Sequence, residues 1–202
     1  MSAVIEFQRA MLVHGIKKHM PAYVAEHIEA TVQGDADAAL SLNVAMSDHE
    51  RGLVAVALWR AKIPPPAFRE FLAATWEHDH RHLIHAAQTR RRLASMFRYA
   101  AFILPSDLPD MVPVWRGTSK LSQAQSARGY SWTTSKEVAY WFARRFASIN
   151  GNPLVLAAQA PKSDVAFFTN SRQEHEVVLL APPKGVRVDS AASDFKAEGG
   201  AA

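Results

Sequence analysis

Through roughly the first half of the chain, apolar residues recur at the three-to-four-residue spacing of helices; after that they fall into short runs broken by Pro and Gly, the mark of strands. Residues 3–19 and 21–32 carry the helical pattern. Ser47-Asp48-His49-Glu50 has the form of a capping box, with the serine accepting from the first turn and the glutamate reaching back, and predicts a helix to Arg60. Pro64-Pro65-Pro66 stops that helix. Proline is tolerated in a first turn, so another begins toward Phe68, Phe71, Leu72 and Trp76. A further segment over 78–102 places Leu83, Ile84, Ala87, Leu93, Phe97 and Ala101 along one side.

The proline-bearing polar break at 105–110 separates this all-helical module, 1–105, from a sheet-rich domain, 110–190. Val114-Trp115-Arg116-Gly117 and Gly129-Tyr130-Ser131-Trp132-Thr133 have polar residues planted at strand ends. Thr134-Ser135-Lys136-Glu137 is a second capping box, predicting a helix over 135–148. Residues 153–159, 164–168, 176–180 and 186–189 have the composition of strands, and the small, polar tail 191–202 carries too little apolar surface to order. The fold class is therefore α+β.

Composition narrows the chemistry. At 202 residues and 49% hydrophobic the chain supports one ordinary domain or two small ones. A net charge of +4 permits contact with nucleic acid or acidic proteins without requiring it. With no cysteine, disulfides, thiol nucleophiles and thiolate metal sites are excluded. No basic start followed by an apolar run marks a secretory leader, and no run of about 18 apolar residues suggests a membrane span. The expectation is a cytoplasmic protein, with leaderless delivery into a host cell left open.

Glu174-His175-Glu176 opens onto the apolar run Val177-Val178-Leu179-Leu180. In a strand, residues two apart share a face, so both carboxylates would point into one cleft. Taken singly each candidate has a plain structural role: Arg116 as a surface ion-pair partner, Ser131 as a turn serine, and the two glutamates as the charged edge of a strand. His78, His82 and His85 fall one helical turn apart, a spacing that can hold zinc, but a solvated helix face is preferred and no metal is expected. Arg90-Arg91-Arg92 with Arg98 is similarly assigned to a solvated flank.

Taken in order, arginine at a strand end, serine at the next and a spaced glutamate pair before an apolar strand resemble the Arg-Ser-Glu class of mono-ADP-ribosyltransferases, which includes bacterial toxin and phage members. Ser131-Trp132-Thr133 is similar to the family's Ser-Thr-Ser motif, with Trp132 in the middle place and Thr133 in the third. Glu137 to Ala143 is similar to its Ala-x-x-Phe helix, and Glu174 to Pro182 to its Glu-x-Glu signature. The resemblance involves nothing before Asp110. It implies a split mixed β-sandwich with a flanking helix, and NAD as substrate. Arg116 would hold phosphate or ribose oxygens through a planar fork that lysine cannot copy, and Gly117 would let backbone approach the ligand. Glu176 would stabilise the oxocarbenium-like ribose, and Ser131 would donate to Glu176 and fix its direction. Trp132, Thr133, Tyr140 and Trp141 complete the expected NAD-binding set, the aromatic three as walls for nicotinamide.

Glu174, by the same resemblance, implies transfer to arginine, whose guanidinium must lose a proton to attack. The expected acceptor is a protein, with nucleic acid ranked below it and no membrane partner. An NAD glycohydrolase on the same fold and a non-catalytic interaction protein are the alternatives.

Overall fold

Residues 3–145 and 147–190 are described by a computed structural model, and the chain falls into two units, Met1–Phe102 and Ile103–Ala202. The tail 191–202, expected to be flexible, lies outside the described residues.

The described residues of the first unit form helices α1 (Ala3–His19), α2 (Ala22–Ala25), α3 (Ile28–Gln33), α4 (Ala36–Ala45), α5 (Asp48–Arg60), α6 (Pro65–Ala87) and α7 (Arg90–Ala100). α5 starts where the capping box places it: the Glu50 carboxylate accepts from the Ser47 N–H at 2.9 Å and from its hydroxyl at 2.7 Å. Three boundaries differ from expectation. The helix expected over 21–32 is two short helices, the second ended by Gly34 at φ +109°. α4 has no counterpart in the sequence reading; Asp35 caps it, accepting from Ala38 N at 2.9 Å. And α6 runs through residue 77 without a break, ending at Gln88, which takes φ +62° before Thr89 caps α7.

α6 is the axis of this unit. Phe68, Phe71, Leu72, Trp76 and Leu83 are completely buried, each contributing about 1.5–3 kcal/mol relative to exposure. Asn43 crosses from α4 to donate to Phe71 O at 3.1 Å and Thr75 Oγ1 at 2.7 Å, fixing the register of the two helices. Of the α6 histidines, His78 and His85 are exposed, and His80 and His82 pack against other rings. His80 stacks on Trp76 with centroids 4.7 Å apart, and His82 meets His49 edge-on at 5.8 Å. Among the described residues no group of three or more His, Asp or Glu is arranged to hold a metal ion, and no helix is long and apolar enough to cross a membrane.

The second unit comprises β1 (Met111–Thr118), α8 (Gln123–Ala127), β2 (Ser131–Thr133), α9 (Lys136–Arg145), α10 (Ala147–Asn150), β3 (Leu154–Pro161), β4 (Val165–Thr169), β5 (Glu176–Leu179) and β6 (Arg187–Ser190). The strands form one sheet in the order β4-β5-β2-β1-β3-β6. Every pairing is antiparallel, where a mixed sandwich was expected. Part of the reason is connection length: the turn 170–175 between β4 and β5 is far short of the dozen or so residues that a parallel crossover needs.

The sheet is unevenly joined. β1 pairs with β3 along its whole length, from Met111 opposite Pro161 to Thr118 opposite Leu154, but meets β2 at one registered rung, Trp115 opposite Thr133. A seam thus runs between β4-β5-β2 and β1-β3-β6. One face packs Val112, Val114, Trp132, Leu156, Val177 and Leu179 into a core. On the other, Ala139 and Ala143 of α9 lie against Val155 and Trp115. α9 begins one residue later than the second capping box suggests, because Ser135 and not Thr134 is the cap: its Oγ accepts from Val138 N at 3.2 Å and donates to Glu137 at 2.9 Å.

Candidate active site

Of the sequence-derived residues, Arg116, Ser131 and Thr133 lie at the seam between β1 and β2, with Glu176 one strand further on β5. Register places Trp115, Thr133 and Glu176 on one rung across β1, β2 and β5. Opposed residues share a face, so Glu176 projects with Thr133. Arg116 is opposite Leu156 of β3 and starts on the other face. Its long side chain returns to the seam, where Nη1 donates to the Ser131 carbonyl.

The guanidinium is enclosed by a turn. Gly129 lies directly on it: a Cβ there would fall 2.2 Å from Arg116 Cζ. The turn is held in place by Trp132 Nε1 donating to Gly129 O at 3.1 Å and by a 2.9 Å hydrogen bond between Thr118 Oγ1 and Ser126 Oγ. Gly129 was not singled out in the sequence; its position two residues before Ser131 is the only local signal. Burial lowers the Arg116 pKa from its ordinary value to about 10, and the Glu176 carboxylate opposes that shift. Arg116 Nε, shut off from solvent, has no hydrogen-bond acceptor among the described residues. An anion at the seam would supply one, so the residue fits a phosphate-bearing ligand.

Glu176 is 2% exposed and is the first residue of β5. Glu174 therefore belongs to the preceding turn and not to the strand, and His175 between them has φ +47°. The two carboxylates still converge, but through the turn and not through strand alternation. What joins them is Arg172, which the sequence reading missed: Nη2 lies 2.7 Å from Glu174 Oε2 and 3.6 Å from Glu176 Oε2.

The hydroxyl brace also moves. Ser131, expected to donate to Glu176, is opposite Val178, one side-chain repeat away. Thr133 stands opposite Glu176, donates from Oγ1 to Glu174 O at 2.7 Å and accepts from Ser135 N at 3.0 Å. With Thr134 N donating to His175 O at 3.1 Å, the end of β2 fixes the whole Glu174-His175-Glu176 segment.

The expected aromatic walls are elsewhere. Trp132 is 2% exposed and belongs to the sheet core. Tyr140 and Trp141 line a groove of about 420 Å³ with Lys136, Glu137 and Arg144, and Tyr140 also packs beside Ala139, Ala143 and Val155, its hydroxyl donating to Asp189 Oδ2 at 3.3 Å. Successive helical residues diverge by roughly 100°, so seating Ala139 and Ala143 on the sheet turns Trp141 outward, where it is 53% exposed. Gly117 serves packing: a Cβ on it would lie 1.7 Å from Ala139 O.

Comparison of the chain with protein-family models, with curated proteins and with solved structures returns no match.

Proposed function

We propose that the second unit is an NAD-dependent mono-ADP-ribosyltransferase: it breaks the bond between nicotinamide and ribose and passes ADP-ribose to an arginine of a protein. The observation that supports this reading most is the convergence at one seam of an enclosed arginine with an unsatisfied donor and a buried glutamate that acts on it electrostatically. In this scheme Arg116 holds the pyrophosphate. Glu176 accepts from the ribose hydroxyl beside the breaking bond and stabilises the cation as it forms, in a site where burial strengthens charge interactions. Thr133 keeps the Glu174–Glu176 segment in position. Glu174, solvent-accessible and already bonded to a guanidinium, takes the proton that the attacking arginine loses.

The test is incubation of the full chain with NAD labelled in the adenylate half and a cell lysate, followed by mapping of adducts and measurement of nicotinamide. Arginine adducts with stoichiometric nicotinamide are expected. Nicotinamide with free ADP-ribose and no adduct would make water the acceptor, and the absence of nicotinamide release would remove the proposal. A nucleic-acid acceptor is favoured by one observation: Trp141 is exposed beside Lys136 and Arg144, with the Arg145 guanidinium 4.8 Å from its ring centroid, a surface on which bases stack and phosphates pair. Label recovered in DNA or RNA would select it.

The Arg116 pKa gives a pH signature. The guanidinium is charged below about 10 and loses its proton as pH rises through that value. NAD affinity, measured calorimetrically from pH 8 to pH 11, is therefore expected to fall through about 10, whereas an arginine in water would hold its charge throughout. The stability sign runs the other way. Above about 10, and up to the higher ordinary pKa of an arginine in water, the unfolded chain binds the extra proton, so the contribution of this residue to stability rises with pH across that window.

A further inference from the structure

The turn between β4 and β5 delivers a guanidinium to the same two carboxylates that the proposed transfer reaction would use. Arg172 Nη2 is 2.7 Å from Glu174 Oε2 and 3.6 Å from Glu176 Oε2. The turn is built to hold it there. Asn170 accepts at its carbonyl from Gln173 N (3.0 Å) and at Oδ1 from His175 N (3.0 Å). Thr169 Oγ1 accepts from Ser171 N at 3.3 Å. Gln173 and His175 adopt φ +58° and +47°, conformations that are strained for non-glycine residues and persist where the surroundings impose them. The ion pair does not account for that strain. Side-chain exposures of 43% for Arg172 and 24% for Glu174 leave the pair solvent-screened, so it adds little to stability.

We propose that Arg172 is an acceptor in its own right, a site at which the chain ADP-ribosylates itself. The inference rests on the transferase reading above. A ribose whose hydroxyl bonds Glu176 has its anomeric carbon one bond beyond the carbon bearing that hydroxyl. A nucleophile 3.6 Å from Glu176 Oε2 then needs little movement to come within the roughly 3–3.5 Å of a near-attack geometry. In the step, the bond between the anomeric carbon and the nicotinamide nitrogen breaks and nicotinamide leaves with the electron pair as a neutral molecule. Arg172 Nη2 forms the new carbon–nitrogen bond, and its proton passes to Glu174. The product carries a pyrophosphate tethered beside two carboxylates, so the modification limits further turnover by the chain that bears it.

The experiment uses the full chain with NAD alone and no added target. One ADP-ribosyl group is expected on Arg172, located by peptide fragmentation, and the fraction modified at a given time is expected to be unchanged over a hundredfold dilution. Unlabelled chain carrying Glu176→Gln, mixed with wild type, is expected to stay unmodified because its own Arg172 is served only by its own carboxylates. The wild-type adduct is expected to vanish in Arg172→Lys. Nicotinamide release or modification of an added arginine analogue with Arg172 left bare would overturn this inference and leave the transferase reading standing. A modification rate proportional to protein concentration, or adduct on the Glu176→Gln chain, would overturn the intramolecular step. No nicotinamide release at all would sink both readings.

Discussion

Glu176→Gln is expected to lower nicotinamide release by about a hundred- to a thousandfold, the loss typical when one group that stabilises transition-state charge is removed. The substitution keeps the shape but removes the charge and turns one acceptor oxygen into an amide donor, and the proposed mechanism uses both the charge and the acceptor. Glu176 sits at the start of a strand whose four residues are all buried, so an alanine would add a cavity and confuse stability with chemistry. Glutamine avoids that. The remaining effect on the fold is electrostatic: Glu176 partly offsets the burial of Arg116, and the variant loses that offset while Arg172 keeps Glu174 as partner at 2.7 Å. A thermal midpoint within a few degrees of wild type is expected, at the usual conversion of about 4–8 °C per kcal/mol for a unit of this size. Chromatographic assay of nicotinamide beside a melting curve separates the two effects. Unchanged release in a folded Glu176→Gln chain would remove Glu176 from the reaction and with it the proposed mechanism.

How far the sequence carried the fold depends on whether the signal was local. The start of α5 was legible because Ser47 and Glu50 satisfy each other within one turn, and β5 because Val177, Val178 and Leu179 form an unbroken apolar run. The break after α6 was not, since it needs a left-handed glutamine at Gln88, which no residue type announces. α4 was hidden by its small residues, with Asp35 as the only marker. For the candidate site, the sequence singles out Arg116, Glu174 and Glu176 but not the relations between them. Strand alternation predicts that Arg116 and Glu176 point apart, and only a flexible side chain crossing the seam restores them to one region. Thr133 took the place expected of Ser131 because pairing register, which depends on the turn lengths on both sides, is invisible in a motif. Arg172 was missed because its role comes from a turn, where neither periodicity nor a motif applies. Trp141 and Tyr140 differ from expectation for the opposite reason: aromatic character suggested a ring-binding wall, while helix geometry turns Trp141 outward and packs Tyr140 beside Ala139, Ala143 and Val155, with its hydroxyl on Asp189.

Gly117→Ala is expected to be the most damaging single methyl in the second unit, costing about 3 kcal/mol or more. The added Cβ would lie 1.7 Å from Ala139 O and 2.9 Å from Ala143 N, and these are backbone atoms of α9 that cannot turn aside as a side chain would. Relief requires moving the helix off the sheet, which opens the contact between Ala139, Ala143, Val155 and Trp115. It also drags Ser135, and through it the Thr133 hydroxyl that anchors Glu174. Stability and activity should therefore fall together, unlike in Glu176→Gln. At 4–8 °C per kcal/mol the transition of this unit would drop by roughly 12–24 °C, followed by hydrogen exchange at the β1, β3 and α9 amides. Gly185→Ala is the control. That residue has φ +64° and nothing within 4 Å of a new Cβ, so it exposes the chain to conformational strain alone, about 1 kcal/mol. If the two variants melt alike, the close approach of α9 to β1 is not what Gly117 provides, and the packing that seats the helix behind the seam has to be redrawn.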